Sequence, residues 1–190
     1  IETINYSYKQ VFEEGHNRLH PLTIPKIMNN SATSLISIEY QIQGPSFTVS
    51  SACSSANHAM GLAYETIKSR KSEVMITGGS ESFLSFGGIK PWESLRILSQ
   101  SKCRPFSKGR DGLVHGEGAG IFVFESLESA KKRRATIIAE VVGFSMSSDA
   151  SDLIKPNNIG PKKALRGVLK DGMINKTEVT YINAHGTGTI

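Results

Sequence analysis

Cys53 is the residue whose surroundings best suit nucleophilic chemistry. It follows a short β-branched and aromatic stretch, residues 46–49, and precedes a helical pattern, so it is predicted in the first turn of a helix that follows a strand. The N–H groups at a helix N-terminus favour thiolate over thiol. Its small neighbours, residues 52 and 54–56, leave room for a substrate. This pattern is typical of a nucleophile elbow with Cys in place of Ser. An inert buried cysteine is the alternative.

His185 is the histidine best placed to assist Cys53. It follows a predicted strand, residues 179–182, and lies in a loop of Gly and Thr. Reactive groups of α/β proteins collect at the carboxyl ends of strands. A Cys and a His on separate loops of this kind are the usual arrangement for thiol-based acyl transfer.

The other candidate motifs predict neither a metal nor a resident cofactor. His58, five residues past Cys53, is interpreted as a core or helix-packing group, and His115 lies in a Gly-rich turn. No pair of residues has the spacing of zinc ligands. The Gly-rich residues 116–120 precede a strand and do not follow one, which excludes a dinucleotide-binding loop.

Composition narrows the class of protein. The chain has 190 residues, of which 38% are hydrophobic and 21% charged. This composition excludes a disordered protein, a collagen-like protein and a small scaffold held by disulfides. It has neither a membrane-length apolar run nor a charged and apolar leader. Two cysteines without a CxxC motif fit a cytoplasmic location. The basic clusters behind the net charge of +5 lack interleaved aromatics, which argues against nucleic-acid binding. We interpret them as solvated helix faces, with docking of an acidic partner as the alternative.

The elements that must position Cys53 and His185 alternate between helix and strand. Residues 56–67 carry apolar side chains at helical spacing, and residues 74–77 form a predicted strand closed by two glycines. With residues 46–49, they predict a parallel βαβ unit. The further predicted elements are strands at 121–124, 136–143 and 179–182, helices at 127–134 and 162–173, and loops at 87–120 and 145–160. The predicted class is α/β, with strands well buried between helices.

Several ordered motifs resemble the elongating β-ketoacyl-acyl-carrier-protein synthases. They are residues 49–55 (VSSACSS), 104–106 (RPF) with 110–112 (RDG) and 116–120 (GEGAG), 143–150 (GFSMSSDA) and 183–189 (NAHGTGT). The resemblance covers nearly the whole chain. It is closest to the bacterial type II fatty-acid enzymes, with the ketosynthase domains of polyketide synthases as the near alternative.

The resemblance implies a thiolase-like fold, α-β-α-β-α in layers, normally built as a homodimer. Cys53 would take an acyl chain from the phosphopantetheine of acyl carrier protein, so no separate cofactor is needed, and its N–H would help form the oxyanion hole. His185 would be one of two histidines that assist decarboxylation of malonyl-carrier and hold the enolate. Carbon attack on the acyl thioester then gives the 3-oxoacyl product.

The resemblance also implies substrate-binding residues. Thr187 and Thr189 look like the pair that hydrogen-bonds the pantetheine arm. Arg18 and Arg96 fall near positions at which the family grips its acidic carrier. Two residues depart from the pattern, since Asp152 and Ile154 stand where the closest relatives usually carry His and Thr. Ile154 cannot donate a hydrogen bond to the pantetheine.

The family is much longer than this chain, so we expect residues 1–190 to be the central part of a ketosynthase, truncated at both termini. They would hold the end of the N-terminal half with Cys53 and the start of the C-terminal half with His185. A second catalytic His, a Lys and a Gly-rich oxyanion loop are expected after Ile190. We therefore expect the isolated piece not to condense and to expose apolar surface.

Competing functions follow from these residues. The first is a condensing enzyme of fatty-acid elongation, or the ketosynthase of a polyketide or specialised lipid pathway. The second is a non-catalytic scaffold that pairs with a complete partner. The third is a cysteine hydrolase that releases free acid from a thioester. The retained Cys53 favours the condensing enzyme.

Overall fold

The computed structural model describes all 190 residues, which form seven α-helices and two strands. The helices are α1 (Glu2–Tyr8), α2 (Thr23–Ile27), α3 (Ser31–Glu39), α4 (Ser55–Lys68), α5 (Phe86–Ser94), α6 (Leu127–Lys132) and α7 (Ile159–Asp171), and the strands are β1 (Val74–Glu81) and β2 (Gly118–Glu125). A π-helical turn, Lys9–Glu13, follows α1, and a 3₁₀ turn spans Lys176–Glu178.

The chain divides into two units. The first comprises Ile1–Thr48, Ser80–Gly120 and Ala184–Ile190, and the second comprises Val49–Gly79 and Ile121–Asn183.

The two strands pair with each other in a two-stranded sheet. The N–H of Ser126, just after β2, donates to the carbonyl oxygen of Glu73, just before β1, at 3.2 Å, so the strands run antiparallel. Residues 46–49 form no strand, and the sheet consists of β1 and β2 alone, so the predicted parallel βαβ unit is wrong. β1 also continues through Gly78 and Gly79, where the sequence predicts its end.

The predicted strands at 136–143 and 179–182 have no strand neighbour either, and both predictions are wrong. Sequence patterns report a segment's preference for extended backbone, whereas a strand needs a second segment to complete its hydrogen bonds. The first of these segments lies instead beside α4, because the Tyr64 hydroxyl donates to the carbonyl oxygen of Val142 at 3.2 Å.

Three predicted helices are confirmed as α4, α6 and α7, each within a few residues of its expected bounds. The predicted loop at 87–120 is wrong at its start, because it contains most of α5. Ser85 caps α5 by accepting the N–H of Gly88 at 3.2 Å, and Pro91 lies inside the helix. Helices α1, α2 and α3 are not predicted from the sequence.

In the second unit, α4 is joined to residues 142–144 and to the end of α7. Asp171 accepts the backbone N–H of Phe144 at 2.9 Å and pairs with Lys68 at 3.1 Å. The Phe144 ring lies directly against Gly61 of α4, where a β-carbon would overlap it. Glycine is therefore required at this crossing for steric reasons.

Much apolar surface is exposed. Ala63 and Ala130 are the buried hydrophobic residues, whereas Ile121, Phe122 and Val123 of β2 are 48–59% exposed. The accessible surface is 15296 Å², against roughly 9,000 Å² for a folded monomer of this mass. The prediction of strands buried between helices is wrong, because these three side chains of β2 are about half exposed. The expectation of exposed apolar surface is confirmed.

None of the helices combines the length and the apolar character needed to cross a membrane.

Candidate active site

Cys53 lies in a tight turn ahead of α4, with its side chain exposed and its thiol free. The helix begins at Ser55 and Ser54 is its N-cap, so Cys53 precedes the first turn in which the sequence predicts it. The preceding residue, Ala52, has φ +51°, in the left-handed region. A residue with a β-carbon adopts this conformation only where its surroundings hold it.

The turn is held by serine side chains on either side of the cysteine. The Ser51 N–H donates to the Ser55 hydroxyl at 2.8 Å, and that hydroxyl donates to the Ala52 carbonyl oxygen at 2.7 Å. The Ser54 hydroxyl donates to the Ser51 carbonyl oxygen at 2.9 Å. These bonds use the local polar groups of the turn and leave the thiol exposed.

His58, in the first part of α4, is also bound to this turn. Its Nδ1 lies 2.7 Å from the Ser51 hydroxyl oxygen, and its ring meets the Phe144 ring edge-on, with centroids 6.3 Å apart. The prediction that His58 is a core or helix-packing group agrees with its contact with Phe144 but does not include the bond to Ser51. Ser51 and His58 are seven residues apart, and the left-handed residue between them carries no sequence signal that would reveal their contact.

The loop after residue 183 carries His185, which is exposed, and the predicted threonine pair. The Thr187 and Thr189 hydroxyl oxygens are 2.8 Å apart and share a hydrogen bond. Gly186 before the pair and Gly188 between the two threonines both have positive φ, +52° and +79°. These conformations bring the two threonine side chains together, as one polar pair.

Arg110 and its neighbours hold this loop in place. The Arg110 Nε donates to the Thr189 carbonyl oxygen at 2.8 Å, and the Gly112 N–H donates to the Gly188 carbonyl oxygen at 3.1 Å. The RDG motif is part of the family resemblance, but nothing in its residue types indicates that it binds the loop at 186–189. The structure therefore adds Arg110 to the residues that shape the site.

Asp111 organises the segment around Arg110. It accepts the hydroxyls of Ser99 at 2.6 Å and Ser101 at 3.1 Å and pairs with Arg104 at 3.1 Å. The Ser99 hydroxyl, followed by the Arg104 guanidinium, lowers the pKa of Asp111 below its ordinary value. The ionised carboxylate thus joins residues 99–104 to the segment that carries Arg110.

The two predicted carrier-binding arginines are exposed, and neither forms a salt bridge within the chain. Arg18 lies in the connection before α2, and Arg96 follows α5 with φ +55°. Cys53 belongs to the second unit. The first unit contains the other predicted site residues, which are Arg18, Arg96, His185, Thr187 and Thr189.

Asp152 and Ile154, which depart from the family pattern, form a turn of their own. One Asp152 carboxylate oxygen accepts the N–H groups of Ile154 and Lys155, both at 2.8 Å. The Lys155 N–H and then the Ile154 N–H lower the pKa of Asp152. Ile154 itself is 74% exposed.

No group of His, Cys, Asp and Glu side chains is gathered closely enough to hold a metal ion.

Solved ketosynthases share the fold of this chain. The ishigamide ketosynthase/chain length factor matches 98% of the chain and 47% of its own length, with a TM-score of 0.93 and 32% identity. A beta-ketoacyl synthase from Burkholderia phymatum matches 100% of the chain and 48% of its own length, with a TM-score of 0.92 and 34% identity. The chain therefore has part of the thiolase-like α/β fold of condensing enzymes, as the resemblance implies.

Two family models match the sequence in succession. The Beta-ketoacyl synthase N-terminal domain matches residues 2–130, which include Cys53, and the Beta-ketoacyl synthase C-terminal domain matches residues 138–190, which include His185. The chain belongs to the β-ketoacyl synthase family.

Two kinds of curated relative match the chain throughout. Nodulation protein E of Rhizobium leguminosarum bv. trifolii is 44% identical over 189 residues, which are 100% of this chain and 47% of the relative. The 3-oxoacyl-[acyl-carrier-protein] synthase 2 of Staphylococcus aureus is 37% identical over 196 aligned residues, 100% of this chain and 49% of the relative. The chain spans about half the length of the curated relatives it matches.

Proposed function

We propose that the protein catalyses decarboxylating Claisen condensation of an acyl thioester, carried on Cys53, with malonyl-acyl carrier protein. The product is 3-oxoacyl-acyl carrier protein, and the pathway is fatty-acid elongation in the cytoplasm. The observation that carries this proposal is the exposed thiol of Cys53 in a turn held ahead of α4, within the segment that matches the N-terminal ketosynthase domain.

The reaction has two bond-forming steps. The Cys53 thiolate attacks the acyl thioester carbonyl, the bond to the carrier's pantetheine sulfur breaks, and that sulfur takes a proton from solvent. Malonyl-carrier then loses CO₂, and the resulting enolate carbon attacks the acyl carbonyl on Cys53. The C–S bond breaks and the Cys53 thiolate is regenerated. His185 donates a hydrogen bond to the enolate oxygen, where negative charge develops.

The other site residues suit a pantetheine-bearing protein substrate. The Thr187 and Thr189 hydroxyls form one polar pair able to bind the amides of the pantetheine arm. Arg18 and Arg96 have exposed guanidiniums without internal salt bridges, which suit an acidic carrier. One matching structure is described as a type II PKS acyl-carrier protein in complex with its ketosynthase. We propose acyl carrier protein as partner, and a second copy of the chain as the homodimer subunit.

Two alternatives rest on particular observations. Relatives named Nodulation protein E are 44–48% identical to the chain and those named 3-oxoacyl-[acyl-carrier-protein] synthase 2 are 37% identical, which favours a specialised or polyketide pathway as the alternative to elongation. Matching structures also include ketosynthases paired with a chain length factor, which favours a scaffold role as a further alternative. The free, exposed Cys53 supports catalysis over the scaffold.

The test uses the natural full-length protein with acyl-carrier and malonyl-carrier substrates. Intact-mass spectrometry is expected to detect an acyl group on wild type and on Cys103→Ala, and none on Cys53→Ala. Addition of malonyl-carrier is expected to release CO₂ and 3-oxoacyl-carrier. Absence of acylation at Cys53 with every chain length tried would favour the scaffold, and acylation followed by release of free acid would favour a hydrolase. A comparison of saturated fatty acyl chains with unsaturated and oxo-substituted chains separates elongation from a specialised pathway.

A further inference from the structure

The turn that carries Cys53 contains a backbone conformation that alanine does not adopt freely. Ala52 has φ +51°, immediately before Cys53. The left-handed region is strained for a residue with a β-carbon, and such residues persist where surrounding contacts determine the backbone. The contacts that hold Ala52 therefore also determine where the adjacent thiol lies.

Ser51 is the centre of those contacts. Its N–H donates to the Ser55 hydroxyl, its carbonyl oxygen accepts the Ser54 hydroxyl, and its own hydroxyl lies 2.7 Å from the His58 Nδ1. The first two bonds join neighbours within the turn. The third joins the turn to the body of α4, because His58 is one turn inside the helix.

His58 is well fixed to serve as this anchor. Its ring is half-buried and meets the Phe144 ring edge-on, and Phe144 in turn donates its N–H to Asp171 at the end of α7. A hydrogen bond to a half-buried group of this kind has less competition from water than one at the surface. The Ser51–His58 bond thus joins the nucleophile turn to a part of the second unit that is itself held in place.

We propose that Ser51 and His58 are positioning residues for the Cys53 nucleophile. Their hydrogen bond holds the left-handed turn at Ala52, and so keeps the sulfur at the N-terminal end of α4. Neither residue takes part in bond making. The inference rests on the proposed function in so far as Cys53 is the nucleophile, but the geometry of the turn can be measured by a reaction that needs no carrier substrate.

The experiment measures the alkylation rates of Cys53 and Cys103 with iodoacetamide in the natural full-length protein. Both thiols are exposed, so Cys103 serves as an internal reference for reagent and pH. Ser51→Ala and His58→Leu are each expected to lower the Cys53 to Cys103 rate ratio by about three- to tenfold, the range for loss of one hydrogen bond. The double variant is expected to lower it no further, because both changes remove the same bond.

Two matched variants separate positioning from general damage. His58→Asn retains a polar atom near the Nδ1 position and is expected to restore most of the ratio. Tyr64→Phe removes a different hydrogen bond of α4, to the Val142 carbonyl oxygen, but leaves the Ser51–His58 bond, and it is expected to leave the ratio unchanged. Circular dichroism confirms that each variant is folded.

An unchanged ratio in Ser51→Ala and His58→Leu would overturn the proposal, as would additive effects in the double variant or failure of His58→Asn to restore the ratio. Failure of the proposed function looks different. In that case wild type is alkylated at Cys53 at the normal rate but takes no acyl group from any carrier substrate.

Discussion

A β-carbon on Gly188 would lie 2.7 Å from the carbonyl oxygen of Gly112. The two backbones approach this closely because the Gly112 N–H also donates to the Gly188 carbonyl oxygen at 3.1 Å. The contact fixes the backbone at Gly188, between Thr187 and Thr189, whose hydroxyls share a hydrogen bond. Glycine is therefore required at position 188 for two reasons, which are its φ of +79° and the absence of space for a side chain.

Replacement of Gly188 by Ala is expected to displace the loop and separate the threonine pair. Strain in the left-handed region and contact with the Gly112 oxygen are expected to lower the free energy of unfolding by about 1–3 kcal/mol. The KM for pantetheine-bearing substrates is expected to rise about tenfold or more. Thermal unfolding and steady-state kinetics measure the two effects. Gly116→Ala is the matched control, because a β-carbon there meets nothing within 4 Å.

Replacement of Arg110 by Gln is expected to loosen the same loop without any steric clash. The variant loses the charged donor to the Thr189 carbonyl oxygen, and we expect kcat/KM with an acyl-pantetheine thioester to fall about tenfold. A simple S-ethyl thioester lacks the arm whose binding we propose for Thr187 and Thr189, so its kcat/KM is expected to change little. The kcat/KM of Arg110→Lys with the acyl-pantetheine thioester is expected to lie between those of wild type and Arg110→Gln. Equal losses of kcat/KM with both thioesters would argue that Arg110 only maintains the fold.

Replacement of Gly61 by Ala is expected to destabilise the second unit, although Ala is the better helix former. The gain in helix propensity is about 1 kcal/mol, whereas a β-carbon at this position overlaps the Phe144 ring and must displace it. Overpacking of this kind typically costs 1–3 kcal/mol, so we expect a lower midpoint of thermal unfolding. The second change Phe144→Leu frees the space and is expected to recover part of the loss. No recovery in the double variant would contradict this account.

Acid is expected to weaken the attachment of α7. The Phe144 N–H, and then Lys68, lower the pKa of Asp171 below its ordinary value of 3.8. A carboxyl group with a lowered pKa in the folded state stabilises the fold at every pH above its unfolded pKa. This stabilisation is lost as the pH falls below about 4. Urea unfolding between pH 7 and pH 3 should give a shallower acid decline for Asp171→Asn than for wild type. Glu65→Gln, an exposed change on α4, is expected to follow the wild-type curve.

The sequence predicts the local parts of the site better than its long-range contacts. Cys53 and the threonine pair lie in short motifs whose residue types carry the signal, and α4 is predicted from its apolar spacing. The partners of these residues are not local. Arg110 meets Thr189 across 79 residues, and no periodicity or propensity reports that distance. His58 is within reach of Ser51 only because Ala52 adopts a left-handed conformation, for which alanine gives no signal.

The strands are the part of the fold least accessible to prediction. Residues 46–49, 136–143 and 179–182 have the β-branched and aromatic composition of strands, yet only β1 and β2 are paired. β-propensity reflects how a side chain fits a pleated, half-buried surface, and that surface is supplied by other segments. The same dependence explains the exposed residues of β2, whose apolar side chains find no cover within the chain.

The separation between Arg110 and Thr189 also sets an order of assembly. At a synthesis rate of 5–20 residues per second, Arg110 leaves the ribosome roughly 4 to 16 s before Thr189. The bonds from Asp111 to Ser99 and Ser101 span 12 and 10 residues and need only a short loop closure, so they can form during that interval. The nascent chain would therefore complete the receiving segment first, and the threonine loop would dock afterwards onto a preformed support.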